Sequence, residues 1–177
     1  SVDITASMNS LYTDVMQRRS SHTELDENLS EFVFYSGLHH SRANVLRLSN
    51  DIIFDGQGSS SSVFIVRVDG SVQFAPNSRI TLLNGAMAAN IFWVVSNTVT
   101  IGAFSSFKGV MLSNSSLVAE EQVSVEGRLL SLSTISLANN LLILPPISTS
   151  AIARIKDQNC GCGASFCGDW SSCSDKT

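Results

Sequence analysis

The sequence has few charged residues, few prolines and no long apolar run. Its 177 residues include 11 Lys and Arg, 15 Asp and Glu and 3 Pro, and the formal net charge is −4. The basic residues are scattered, so binding to nucleic acid is not expected. Because no run of eighteen apolar residues occurs, insertion into a membrane is not expected either. The composition, 44% apolar and 15% charged, indicates a folded protein with a sizeable core.

Cysteine is missing from most of the chain and is confined to its C-terminal tail. The four cysteines are Cys160, Cys162, Cys167 and Cys173. Their spacing does not match the paired Cys-x2-Cys units of a zinc knuckle, so we expect neither a metal nor another cofactor. Disulfides are favoured, with about three possible pairings. We therefore predict a secreted, extracellular protein with a main domain over residues 1–146 and a Cys-rich tail over residues 147–177.

The stretch from Val63 to Leu144 repeats itself every eighteen residues. Three pairs of segments show the repeat: Trp93–Val95 with Met111–Ser113, Phe107–Gly109 with Val125–Gly127, and Met111–Ser113 with Leu129–Ser131. An earlier copy at Ser71 lies 27 residues before Thr98, nine more than the period of eighteen, which places an insertion near residues 79–88. A period of this length, rich in β-branched residues and without helical spacing, is typical of a β-solenoid whose coils stack on one another.

The aligned copies predict which side chains point inward and which point outward. Strand side chains alternate between the two faces of a sheet. Two apolar columns are therefore assigned to the core, namely Val72, Val99, Leu117 and Ile135, and Phe74, Ile101, Ala119 and Leu137. The outward positions form two files, Ser71, Thr98, Ser116 and Thr134, and Gln73, Thr100, Val118 and Ser136. Expected spacings are about 4.7–4.9 Å between coils and about 6.6–6.8 Å along a strand.

Residues 3–19 are predicted to form one long α-helix. Ile4, Met8, Leu11 and Val15 make a single apolar stripe, which favours packing alongside the solenoid. Short strands are predicted at residues 31–37, 45–48 and 52–54, and residues 55–62 read as a flexible turn between coils. Two adjacent histidines, His39 and His40, point to opposite faces if they lie on a strand, and we expect loop or surface histidines rather than a metal or acid–base site.

Several segments come in the order and spacing of a known family. They are Val63–Ile65, Leu83–Ala86, Asn90–Val95, Ile101–Gly102, Ser106–Gly109 and Glu126–Leu130. In these the chain resembles the microbial ice-binding proteins that are built on a discontinuous β-solenoid with a flanking helix. The resemblance covers about residues 3–144, and the helix at residues 3–19 falls where the family places its own.

The resemblance implies an all-β fold, a right-handed irregular β-solenoid of roughly triangular section with one long helix alongside and no catalytic centre. It also implies adsorption to ice, or to ordered water, through a flat face. The candidate ice-binding residues are the eight outward ones, Ser71, Gln73, Thr98, Thr100, Ser116, Val118, Thr134 and Ser136. Gln73 and Val118 interrupt the hydroxyl files.

A second function is left open, because some family members serve as surface or adhesion modules. Members usually carry several coils before the helix, and this chain begins at the helix. An incomplete solenoid has an open edge, to which a copy of the protein or a neighbouring subunit can add a strand. The alternative is therefore a structural subunit of an extracellular filament or surface layer, joined through the open end and the Cys-rich tail. Asn28 and Asn114 stand in glycosylation sequons, and a glycan on Asn114 would lie beside the candidate face.

Catalysis is not expected from the residue inventory. The carboxylates do not cluster apart from Glu120 and Glu121, and no motif suggests a Ser, His and Asp set. Gly127 is better explained as a coil corner that needs glycine. A polysaccharide-cleaving solenoid would need charged residues stacked on one wall, whereas the outward files here are mostly hydroxyls.

Overall fold

The computed structural model describes residues 4–17 and 23–143. One helix, α1 (Ile4–Gln17), precedes sixteen strands and a short 3-10 helix (Ala88–Asn90) in these residues. In chain order the strands are β1 (Thr23–Glu24), β2 (Asn28–Ser30), β3 (Val33–Tyr35), β4 (Gly37–Ser41), β5 (Val45–Ser49), β6 (Asp51–Asp55), β7 (Phe64–Val68), β8 (Ser71–Phe74), β9 (Arg79–Leu83), β10 (Ile91–Val95), β11 (Val99–Ile101), β12 (Ser106–Ser113), β13 (Leu117–Ala119), β14 (Ser124–Ser131), β15 (Ile135–Leu137) and β16 (Leu141–Ile143).

The strands stack as six successive coils, each with three strand segments. Coils 1 to 3 are β1–β3, β4–β6 and β7–β9; coil 4 is β10, β11 and the start of β12; coil 5 is the rest of β12, β13 and the start of β14; coil 6 is the rest of β14, β15 and β16. All strand pairs in the described residues are parallel. The middle segments form a separate six-stranded sheet, in the order β15-β13-β11-β8-β5-β2. The predicted all-β solenoid of parallel strands is confirmed.

The predicted register is also confirmed. Val99 pairs with Val72 on one side and with Leu117 on the other, and Leu117 pairs with Ile135. In this column Val72, Val99 and Leu117 are at most 1% exposed. Ile135 differs from the prediction, because it belongs to the last coil and is 43% exposed. Leu137, in the neighbouring column, is 44% exposed for the same reason.

Two glycines turn the chain from one sheet region into the next. Gly109 in β12 and Gly127 in β14 are paired in register, with φ of +123° and +155°. A Cβ on Gly127 would lie 1.8 Å from the carbonyl oxygen of Gly109, a distance that no side chain tolerates. The prediction that Gly127 occupies a coil corner is confirmed. Coils 2 and 3 use loops at this corner instead, residues 56–63 and 84–90, which explains the predicted insertion.

The helix is shorter than predicted. α1 has 14 residues, Ile4–Gln17, so the expected long helix over residues 3–19 is corrected to a helix of about four turns. It lies against β10, and its Val15 side chain is only 4% exposed. The predicted packing alongside the solenoid is confirmed for this residue. The Cys-rich tail, with Cys160, Cys162, Cys167 and Cys173, lies outside the described residues.

Aromatic rings from successive coils fill the core. Trp93 is fully buried, and its ring centroid lies 5.5 Å from that of Phe74, 6.0 Å from those of Phe34 and Phe54, and 6.3 Å from that of Phe107. Most of these contacts are edge-to-face, the arrangement that the ring quadrupoles favour. The stack ties coils 1 to 4 together and holds their strands in register.

The two histidines of β4 are buried, contrary to the surface position expected from the sequence. His39 and His40 are 6% and 5% exposed and point to opposite faces, as predicted for a strand. His39 lies in the core beside Phe34, at a ring-centroid distance of 4.9 Å. Its Nε2 donates to the carbonyl oxygen of Tyr35 at 2.7 Å. His40 points outward, with Nε2 2.9 Å from Oδ2 of Asp69.

The position of His39 predicts a loss of stability in mild acid. Burial lowers the pKa of the His39 imidazole below its ordinary value of 6.5, and the hydrogen bond to Tyr35 opposes this shift. The unfolded chain then takes up a proton before the folded protein does, so the free energy of unfolding decreases as the pH falls below about 6.5. We expect a His39→Leu variant to lose about 1 kcal/mol less than the parent between about pH 7.5 and pH 5.5. Urea denaturation at both pH values measures the difference, and equal losses in the two proteins would contradict it.

Candidate functional site

The six-stranded sheet presents the eight outward residues on one surface. Five of them, Gln73, Thr98, Val118, Thr134 and Ser136, are exposed, and three, Ser71, Thr100 and Ser116, are half-buried. Gln73 pairs with Thr100, Thr100 with Val118, and Val118 with Ser136. The second predicted file therefore runs straight across β8, β11, β13 and β15. The structure brings together all eight residues that the sequence singled out.

The first file is held by the backbone and by one side-chain contact. The carbonyl oxygens of Thr98, Ser116 and Thr134 accept hydrogen bonds at 2.9–3.0 Å from the amides of Val72, Val99 and Leu117. Each hydroxyl residue is thus fixed to the strand of the preceding coil. The hydroxyls of Ser71 and Thr98 are 3.1 Å apart, within hydrogen-bond distance. These contacts set a regular ladder of hydroxyls along the sheet.

The other two sheet regions are less suitable as a uniform polar surface. α1 lies against β10, which covers part of the region formed by β4, β7 and β10. The region formed by β6, β9, β12 and β14 carries charges, including an ion pair with 2.5 Å between Nζ of Lys108 and Oε2 of Glu126. The eight outward residues of coils 3 to 6 include no charged side chain.

Charge returns on the same sheet at coils 1 and 2. Arg47 of β5 pairs in register with Gln73 and with Asn28 of β2. Its guanidinium forms an ion pair with Glu27, and both side chains are about half exposed. The uniform part of the surface therefore ends between β8 and β5. We name this uncharged part, the eight outward residues of coils 3 to 6, the hydroxyl face.

Sequence reasoning missed that β2 and β5 extend this sheet. The reason is spacing, because Leu46 precedes its partner Val72 by 26 residues, and Leu29 precedes Leu48 by 19, whereas the later coils keep a period of eighteen. The alternation in Val45–Leu48 matched that of Ser71–Phe74 and was the available signal.

The sequons lie at different places relative to the hydroxyl face. Asn28 is exposed on β2, on the charged end of the six-stranded sheet, and Asn114 is exposed in the turn before β13. Glycosylation of either residue stays a prediction. Within residues 4–17 and 23–143, no three His, Cys, Asp or Glu side chains are grouped so that they could hold a metal ion. No helix in this part of the chain is long and apolar enough to cross a membrane.

Comparison with known proteins identifies the family. The family profile described as ice-binding-like matches residues 3–143, which is most of the chain and all of the solenoid. The chain belongs to the ice-binding-like family. The resemblance inferred from the repeated motifs is thereby confirmed.

Relatives in the ice-binding-like family share about a third of their residues with this chain. An ice-binding protein of Colwellia sp. is 31% identical over 136 residues, which cover 76% of this chain and 53% of the relative. An ice-binding protein of Flavobacterium frigoris is 34% identical over 102 residues, covering 58% of this chain and 36% of the relative. This chain therefore spans about half the length of such relatives or less.

Solved structures of ice-binding proteins have the same fold. The crystal structure of an ice-binding protein from an Antarctic biological consortium superposes with a TM-score of 0.77 at 27% identity, covering 80% of this chain and 65% of that one. The structure of an ice-binding protein from an Antarctic bacterium of the Flavobacteriaceae also gives 0.77, at 28% identity, covering 84% of this chain and 35% of that one.

Proposed function

We propose that this protein binds ice through the hydroxyl face of coils 3 to 6. The observation that carries this proposal is the register of Thr98, Ser116 and Thr134, which repeats hydroxyl side chains from strand to strand. Family membership supplies ice as the ligand class, and the ice-binding relatives named above favour it over a structural subunit. The residues that form the contact are assigned from the geometry of this chain alone.

The mechanism follows from spacing and rigidity. Parallel strands set neighbouring hydroxyls about 4.7–4.9 Å apart across the sheet and about 6.6–6.8 Å apart along a strand. Hydroxyls both donate and accept hydrogen bonds, so each can anchor a water molecule. The methyl groups of Thr100 and Val118 limit the number of competing orientations that these waters adopt. Water ordered in this way joins the lattice of an ice crystal without a rearrangement of the protein.

The absence of charge on the hydroxyl face supports the same mechanism. An ion orients the surrounding water around itself, and this arrangement does not match an ice lattice. Arg47 and Glu27 lie beyond β8 and so mark one limit of the proposed contact area. The proposal assigns no catalytic residue, and it places the protein outside the cell, where ice forms and where disulfides of the tail cysteines persist.

Partition into growing ice tests the proposed function. The fluorescently labelled protein is expected to be incorporated into an ice shell grown slowly from dilute solution, and the solution is expected to show thermal hysteresis. An unrelated globular protein of similar mass, carrying the same label, serves as the control and is expected to stay in the liquid. Equal exclusion of both proteins from ice, together with no hysteresis, would overturn the proposal.

A further inference from the structure

We propose that the last coil of the solenoid is a docking surface for a second copy of this chain. The inward side chains of coil 6 are exposed, although the same columns are buried in coil 5. Ile135, Leu137 and Leu142 are 43%, 44% and 55% exposed, and their register partners Leu117, Ala119 and Val125 are at most 1% exposed. Core positions at this end therefore face outward without cover.

The backbone at this end is open as well. β15 is the terminal strand of the six-stranded sheet, and β16 pairs with β14 on one side. No strand among the described residues pairs with the outer edges of β15 and β16. Such edges accept a further strand. Proteins usually protect them with charged residues or proline, and residues 129–143 contain neither.

The opposite end of the solenoid differs in both respects. In coil 1 the inward side chains Leu25, Leu29 and Phe34 are buried. The same coil carries four carboxylates, Glu24, Asp26, Glu27 and Glu31. Stacking the apolar last coil of one molecule on this acidic first coil of another would remove charges from water at a cost in free energy. Head-to-tail association is thus disfavoured, and the matching surface for coil 6 is coil 6 of a second molecule.

A two-fold axis satisfies the open edges of both molecules. An axis through β15, perpendicular to the solenoid, places β15 antiparallel to β15 of the second copy. It also places the end of β14 antiparallel to β16 of the second copy, and β16 antiparallel to the end of β14. All three strand segments of coil 6 then gain a partner, and the contact is closed and self-complementary.

The dimer would also join the two six-stranded sheets into one continuous sheet. The hydroxyl faces of the two copies would lie side by side on it, which doubles the contact area offered to ice. This consequence rests on the proposed function, whereas the association itself does not. A single coil offers less surface than the roughly 800 Å² per partner of a standard interface, so we expect a reversible equilibrium in the micromolar range.

Analytical ultracentrifugation of the 177-residue protein tests the association. From about 10 µM to about 1 mM, the mean mass is expected to rise from that of the monomer toward twice that value. A variant with Ile135→Lys and Leu142→Lys is expected to raise the dissociation constant at least about tenfold, because it buries charge at the contact. Tyr35→Lys is the matched control, since Tyr35 is 50% exposed on coil 1, and it is expected to leave the dimer unchanged.

Hydrogen exchange in the parent protein gives a second reading that needs no variant. Amides of β15 and β16 are expected to become more protected as the concentration rises. A protein that stays monomeric, association that survives the lysine pair, or polymers that grow without limit would overturn the proposal. It is also overturned if these amides are fully protected in dilute monomer, since other residues of the same chain then cover the end. Loss of hysteresis without loss of dimer would count against the hydroxyl face alone.

Discussion

A Thr100→Tyr variant is expected to lose most of its thermal hysteresis while it keeps its fold. Thr100 is central in the hydroxyl face, with Gln73 and Val118 as its register partners on either side. A tyrosine ring there projects beyond the neighbouring side chains and separates them from a flat ice surface. Central contact residues carry a large share of binding free energy, so hysteresis at a fixed concentration is expected to fall about tenfold. Nanolitre osmometry measures the change.

The matched control is the same substitution on another sheet region. Thr81 of β9 is half-buried and points outward between Ile80, which is buried, and Leu82, which packs against the core. Thr81→Tyr is expected to leave both the hysteresis and the melting temperature unchanged. Full activity in the Thr100 variant would exclude the hydroxyl face as the ice contact, and an equal loss in both variants would place the effect in the fold.

A Gly127→Ala variant is expected to lower the free energy of unfolding by about 4 kcal/mol or more, because a positive φ and a backbone clash act together. The new Cβ would meet the carbonyl oxygen of Gly109 at 1.8 Å. That oxygen belongs to the adjacent coil and cannot move without displacing β12. Equilibrium denaturation followed by circular dichroism measures the loss.

Gly37→Ala separates the two contributions. Gly37 has a φ of +133°, and a Cβ there would meet nothing within 4 Å. Its variant carries the backbone strain without the clash, and a loss of about 1–2 kcal/mol is expected. Equal losses in the two variants would show that close packing of the corner glycines contributes nothing.

The register of coils 3 to 6 was predictable because these coils repeat. A shift of one residue would turn Val99 and Leu117 outward and Thr98 and Ser116 inward, so the apolar columns allow only one alignment. Gly127 was predictable for a similar reason, since its counterpart Gly109 stands one period earlier. From this register alone the eight residues of the hydroxyl face were placed on one surface.

Other features depend on the third dimension and left no such pattern. A column of apolar residues does not reveal where it ends, so Ile135 was assigned to the core although it is exposed. His39 looked like a surface residue because its partners, the Phe34 ring and the Tyr35 carbonyl, come from a tight turn in the chain. The end of α1 was placed too late because its arginines suggested a longer last turn. Spacings of 26 and 19 residues concealed coils 1 and 2.

The loops of coils 2 and 3 share one corner of the solenoid, and that corner does not border the six-stranded sheet. They connect β6 to β7 and β9 to β10, and they are tied to each other by bonds such as that from the Gly58 amide to the Asn84 carbonyl oxygen, 2.8 Å. Gln57 is exposed at this corner. A dye, a tether or a fused domain attached there would leave the hydroxyl face unobstructed, so the molecule has a natural handle for oriented immobilisation on a solid support.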